Sequence, residues 1–355
     1  MEKNDFEQEN YEEAFKKAYD EKHSEFENIS NQKLIISLIG SVNAGKSKTI
    51  NSITGIDYAD VKSRSGWTKE VSLYELKHGV FIADTPGLFD IDADISKKAS
   101  DFVANSADII LFFLNAGVGI TQHEKKAFEE ISTLGKPILI VLNKIDSLEK
   151  EEAADVIDQI EEQLGNSPIP ISSKTGQGIK NLNDEIVKIL EASGKDLLFL
   201  KISKHKEQSV KKWINAATGS AFGIGALPIP GSDIVALSAL QIGLAFKIAY
   251  IYNVKPTKED IMKLIASTVT GTIGKQAVRW TITALKAAGW FPGAQLLEVA
   301  TAAIAASVAA SLTYAFGWAC NAYYKSGMTL DFEQVTNIFK EKYDLYRKEK
   351  GDAKI

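Results

Sequence analysis

Gly40-Ser41-Val42-Asn43-Ala44-Gly45-Lys46-Ser47 has the G-x-x-x-x-G-K-S spacing of a phosphate-binding loop. Gly40 and Gly45 permit the tight turn. The backbone N–H groups from Asn43 through Ala44, Gly45, Lys46 and Ser47 to Lys48 can converge on an anion, aided by the positive end of the following helix. The Lys46 ammonium would reach the β- and γ-phosphates of a nucleotide, and the Ser47 hydroxyl would ligate Mg²⁺. A glycine-rich turn without a ligand is the bland reading, and the flanking elements argue against it. Leu34-Ile35-Ile36-Ser37-Leu38-Ile39 reads as a buried strand, and Ile50 and Ile53 fall on one side of a helix.

Three further segments follow in order, each closing an apolar strand. Val80-Phe81-Ile82-Ala83 runs into Asp84-Thr85-Pro86-Gly87; Asp84 can hold the Mg²⁺ water shell, and Gly87 can offer its N–H to the γ-phosphate with no side chain in the way. Pro137-Ile138-Leu139-Ile140-Val141-Leu142 runs into Asn143-Lys144-Ile145-Asp146. The Asp146 carboxylate can accept from N1–H and the exocyclic amine of guanine, whereas adenine presents the opposite pattern. Lys144 would pack its stem over the base, and Asn143 would tie this loop to the phosphate loop. Ile169-Pro170-Ile171 then leads into Ser172-Ser173-Lys174, where a backbone N–H can meet guanine O6.

These four segments, over about Lys33 to Ser193, resemble the Era-like branch of the translation-factor-related GTPases. The resemblance implies GTP and GDP as ligands with Mg²⁺ as cofactor. It matches Arg64-Ser65-Gly66-Trp67-Thr68-Lys69-Glu70 to the first switch, making Thr68 the second side-chain Mg²⁺ ligand; an ordinary strand-start threonine is the alternative. Two departures bear on hydrolysis. Leu88 follows Gly87 where GTPases that orient their own attacking water usually carry Gln, so intrinsic turnover is expected to be slow. Asn43 stands where Era-like enzymes activated by potassium and by G-domain pairing ligate K⁺, a cation that does the electrostatic work of an arginine finger. Arg64 is its rival for that role, acting in cis or across a dimer, and a small polar residue capping the loop is the bland reading of Asn43. With Lys46 and Thr68, these complete the expected catalytic set.

The whole composition narrows the partners. Among 355 residues, 41 Lys and Arg against 46 Asp and Glu leave a net charge of −5. No basic stripe interleaved with aromatics stands out, which argues against nucleic acid as a partner. Cys320 has no second cysteine to pair with and sits in an apolar run. His23, His78, His123 and His205 are scattered without metal-ligand spacing. The charged first residues contain no apolar signal segment, so the expected location is cytoplasmic, with the inner face of the cytoplasmic membrane as the surface for any peripheral attachment.

Outside the nucleotide segments the pattern is helical. Before Asn31, residues Tyr11, Phe15, Ala18, Tyr19, Phe26 and Ile29 recur at helical spacing. Beyond a boundary at Ser193-Gly194 the chain becomes rich in Ala and Gly. The rigid turn Ala226-Leu227-Pro228-Ile229-Pro230-Gly231-Ser232-Asp233 launches a helix that is apolar nearly all round, and Thr270-Gly271-Thr272-Ile273-Gly274 follows. Turn and helix resemble an uncharacterised bacterial helical domain, over roughly Lys211 to Gly327. Val299 to Tyr324 is uncharged and longer than the ~20 residues that span a bilayer, but Ala, Ser and Thr dominate it. Trp280, Trp290, Phe291 and Trp318 would suit either a membrane interface or a core. Asp331 and Gln334 make a capping-box start for a last amphipathic helix, striped by Phe332, Val335, Ile338, Phe339, Tyr343 and Tyr346.

The expected architecture is therefore α/β: a P-loop GTPase domain with a mostly parallel, doubly wound sheet, plus an all-α domain built from N- and C-terminal helices. Segments 1–31, 32–193, 194–327 and 328–355 divide as N-terminal helix, G domain, apolar helical domain and C-terminal helix. That layout is similar to dynamin-like proteins and immunity-related GTPases. The expected function is a GTP-hydrolysing switch, activated as a homodimer through its G domains, whose helical domain engages a membrane surface or a helical protein partner. A soluble regulatory GTPase in ribosome assembly or another complex is the alternative, and a scaffold that has lost turnover is a third class.

Overall fold

The computed structural model describes residues 2–57, 72–84, 93–226, 232–268 and 294–351. The chain divides into two compact units, one formed by Asn28–Lys206 and one by Met1–Glu27 with Glu207–Ile355. Helix α1 (Glu2–Ser30) precedes the sheet and ends just before Asn31, in keeping with the helical spacing of the residues ahead of it.

The first unit is a six-stranded sheet of β1 (Leu34–Gly40), β2 (Ser72–Lys77), β3 (Val80–Asp84), β4 (Ile109–Asn115), β5 (Ile138–Asn143) and β6 (Ile169–Pro170), in the order β2-β3-β1-β4-β5-β6. All neighbours are parallel except β2 and β3. That hairpin turns through His78 (φ 55°) and Gly79 (φ 77°), the positive-φ geometry whose twist matches the strands it joins. Residues Ile109 to Leu114 of β4 are all buried, as a central parallel strand covered on both faces requires. Helices α2 (Lys46–Thr54), α3 (Ala93–Ser106), α4 (Gln122–Ser132), α5 (Lys150–Leu164) and α6 (Ile179–Glu191) alternate with the strands. Phe128 of α4 meets Phe112 of β4 edge-on at 5.4 Å, and Ile131 and Ile160 are fully buried beside them. Burying each such side chain stabilises the fold by about 1.5–3 kcal/mol.

This unit extends past the glycine boundary read from sequence. Gly194 (φ 68°) is a turn inside it, and α7 (Asp196–Ile202) buries Leu197, Leu198, Phe199, Leu200 and Ile202 against α6 and β3. Lys195 also belongs here, donating at 2.6 Å to Asp108, whose other carboxylate oxygen accepts from the Ile35 amide.

The second unit contains α8 (Glu207–Gly225), α9 (Ser232–Ile251), α10 (Lys258–Thr268), α11 (Ala294–Lys325) and α12 (Phe332–Gly351). Helix α11 is its axis, packed on α8, α9 and α12. Small residues let the helices close up: a Cβ on Gly225 would come within 2.9 Å of Ala306 Cα and 3.0 Å of the Ala305 carbonyl. Helix α1 completes the unit from the other end of the sequence. Phe15 and Phe26 are buried, Phe26 stacks on Phe246 at 5.6 Å, and the Tyr19 hydroxyl donates to the Pro256 carbonyl. At the start of α12, Gln334 N–H donates to Asp331 and Asp331 N–H donates back to Gln334, so the capping box forms. Val335, Phe339 and Tyr343 carry its buried stripe.

Among the described residues no helix is long and apolar enough to cross a membrane. The uncharged run within α11 contains buried Ser311, Thr313 and Asn321, and its alanines serve close helix contact. The Pro228–Gly231 turn, Thr270–Gly274, Trp280, Trp290 and Phe291 lie outside the described residues.

Candidate nucleotide site

The phosphate-loop residues join the carboxyl end of β1 to the first turn of α2. Two glycines are required by geometry. Gly40 (φ 149°) crosses β4 so closely that a Cβ would lie 2.6 Å from the Phe113 carbonyl oxygen. Gly45 (φ 89°) caps α2, and a Cβ there would collide with the Asn143 amide. Asn43 takes a left-handed φ of 66°, a region asparagine tolerates better than most residues, and its side chain is exposed. Lys46 folds back over the loop: its ammonium donates to the Gly40 carbonyl at 2.6 Å and to the Ser41 carbonyl at 3.2 Å. Half-buried Ser47 follows in the first turn of α2, and Lys48 is exposed one residue on.

Asn143 is fully buried at the end of β5 and joins three segments. Its amide donates to the Ala44 carbonyl at 2.8 Å and to the Ser173 hydroxyl at 3.2 Å, while its carbonyl accepts from the Ser173 N–H at 3.0 Å. The loop beyond it turns through Lys144 at φ 69°. Asp146 is then fixed by the Ser172 hydroxyl, which donates to it at 2.6 Å, with the Lys174 ammonium 4.0 Å from its other oxygen. Chiefly through the Ser172 bond, its carboxyl is held below the usual carboxylate range; burial opposes this, and Lys174 and Lys48 add to it. The geometry leaves an ionised, exposed acceptor beside a loop of backbone N–H groups.

Asp84 ends β3, in register with Leu38 of β1, so it stands at the same end of the sheet as the loop. Thr68 and Arg64, and with them Gly87 and Leu88, lie outside the described residues. Among the described residues no three His, Cys, Asp or Glu side chains cluster as a self-sufficient metal site. A hydroxyl such as that of Ser47, together with nucleotide phosphates and water, is a donor set that suits Mg²⁺, which keeps several waters and takes few protein ligands.

One part of the site was not read from the motifs. Glu124, 5% exposed at the start of α4, accepts a 2.6 Å hydrogen bond from the Ser41 hydroxyl of the phosphate loop. Its legible signal is Thr121-x-x-Glu124, a capping box, which forms here. The contact with Ser41, 83 residues away, has no sequence signal.

Comparison with known proteins agrees with this geometry. Residues 35–144 match the family described as 50S ribosome-binding GTPase, and residues 195–348 match a domain of unknown function, DUF697. GTPase Der of Brucella ovis is 31% identical over 197 residues, covering 53% of this chain and 39% of that protein. GTPase Der of Lactobacillus delbrueckii subsp. bulgaricus is 31% identical over 160 residues, covering 43% and 36% respectively. The chain thus spans about two fifths of the length of these curated relatives. The crystal structure of Era in complex with MgGDPNP and nucleotides of 16S ribosomal RNA is similar to 45% of this chain and 57% of that one, at 23% identity and a TM-score of 0.35, a likeness on which nothing below rests.

Proposed function

Taking as premise that the chain carries an Era-like, translation-factor-related GTPase domain followed by a DUF697 domain, we propose that it is a GTP-hydrolysing switch whose helical unit reports the nucleotide state to a membrane surface or a helical partner. The observation that carries the nucleotide reading is Asn143, which draws the phosphate loop, the Asp146 loop and Ser173 into one site. In this reading Lys46 holds the phosphates, Asp146 reads guanine and the backbone at Ser173 and Lys174 meets its O6. Ser47, Thr68 and Asp84 would hold Mg²⁺, which would neutralise charge on the phosphates.

Pairing of G domains across the nucleotide face supplies what Leu88 lacks. Two exposed apolar side chains support it: Val42 in the loop is 88% exposed and Val118, just past β4, is 65% exposed. Asn43 would hold K⁺ between phosphates and loop, and Arg64 is the alternative source of positive charge. Turnover is accordingly slow in the monomer. A test measures GTP hydrolysis against protein concentration in potassium and in sodium. Specific activity that rises with concentration, and more in potassium, supports pairing; a flat, cation-independent rate rejects it. Flotation with liposomes in the GDP state and with a non-hydrolysable GTP analogue tests the helical unit, with analogue-dependent flotation expected.

The description of the family matched by residues 35–144 favours a second reading, a GTPase acting on the large ribosomal subunit. The net charge of −5 weighs against direct RNA contact. Co-sedimentation with ribosomal subunits, falling steeply with salt, would place the protein there instead.

A further inference from the structure

The Ser41 side chain has no part in the G-x-x-x-x-G-K-S chemistry, and the capping of α4 does not need it either. A capping box uses Glu or Gln equally, because one side-chain oxygen suffices for the return bond. Glu124 has two oxygens employed. Oε2 accepts from the Thr121 N–H at 3.0 Å and the Thr121 hydroxyl at 2.9 Å, and Oε1 accepts from the Ser41 hydroxyl at 2.6 Å. A carboxylate this buried is costly unless its lone pairs are filled, and Ser41 fills the side that capping leaves open. At the other end, the Ser41 carbonyl accepts from the Ala44 N–H at 3.2 Å, closing the loop's turn, and from the Lys46 ammonium at 3.2 Å.

We infer that Glu124 is a positioning residue for the phosphate loop, acting through the Ser41 hydroxyl to fix the carbonyl on which Lys46 rests. With the hydroxyl anchored, residue 41 cannot rotate without breaking a charge-assisted bond, so loop and ammonium are set before nucleotide arrives. The inference rests on the nucleotide reading of this loop and adds to it a residue from α4.

The test is the rate at which a fluorescent GDP leaves the full-length protein. Ser41→Ala should release it about tenfold faster, the scale of one hydrogen bond to a charged group, and Glu124→Gln up to that, because its amide keeps only a neutral bond to Ser41. The double variant should match Ser41→Ala at about tenfold, since both changes act on one link. Ser41→Thr, which keeps the hydroxyl, should release GDP at the parent rate. Glu124→Gln keeps a capping residue and is expected to melt near the parent; if it does not fold, the Ser41→Ala and Ser41→Thr pair carries the test. Unchanged release in Ser41→Ala, or single effects that multiply to about a hundredfold in the double variant, would overturn the inference while leaving the site intact. A parent protein that binds no GDP would instead sink the nucleotide reading beneath it.

Discussion

The sheet unit and the helical unit use sequence in opposite ways. In the first, polar residues gather where strands stop: Lys46, Asn143, Asp146 and Ser173 all lie at or just past one end of the sheet, and the last three bond across segments far apart in sequence. In the second, polar groups are spent inside the packing. Gln241 of α9 donates to Thr313 of α11, the hydroxyl of Tyr252 just past α9 donates to Asn321 of α11, and Gly225 marks close helix approach. Chemistry at strand ends is recognisable by residue type, whereas helix packing specifies a shape without specifying what the shape meets.

Gly45→Ala should break this contrast most severely. The added methyl collides with the Asn143 amide in a left-handed backbone, so GDP affinity should fall at least a hundredfold, and the sheet unit should lose about 2–4 kcal/mol. Isothermal calorimetry and chemical denaturation would check both. Asn143→Ala leaves the Ser173 N–H and the Ala44 carbonyl without this partner and should cost about 1–3 kcal/mol, with GDP released faster in stopped flow. Gly225→Leu is the converse probe: overpacking against Ala305 and Ala306 should destabilise the helical unit by about 1–3 kcal/mol while GDP affinity holds.

The smallest effect is a pH dependence confined to the sheet unit. Burial, aided by Lys201, lowers Lys206 to about 8. Between that value and the ordinary lysine range near about 10.4 the unfolded chain binds more protons, so stability should rise with pH by ~1 kcal/mol after allowance for screening. Burial raises Tyr252 of the helical unit from its ordinary value near about 10 to about 12, so that side chain adds almost no slope below about pH 9 and lowers stability as pH approaches 10 and beyond. Denaturation at several pH values, with Lys206→Met as the variant that flattens the slope, would separate the two units.

The same contrast explains what could be read in advance. Strand-end motifs in fixed order located the sheet and the loops that gather at one end of it, because each motif closes an apolar strand. Ser193-Gly194 falls where the DUF697 match begins, at residue 195, whereas the compact sheet unit continues to Lys206 because the apolar run 197–202 packs on it. The α1 stripe announced a buried face, but only the structure shows Phe26 on Phe246. Ser41 and Glu124 each had a sufficient local explanation, so nothing in the sequence joined them.

The central claim is that Asp146, held by Ser172 beside the phosphate loop, reads a guanine base. The direct measurement is the affinity of parent and Asp146→Asn protein for GDP and for xanthosine diphosphate. The account predicts that the parent prefers GDP and that Asp146→Asn reverses the preference, because the amide can donate to the xanthine oxygen. An Asp146→Asn protein that keeps the parent's preference for GDP would contradict it.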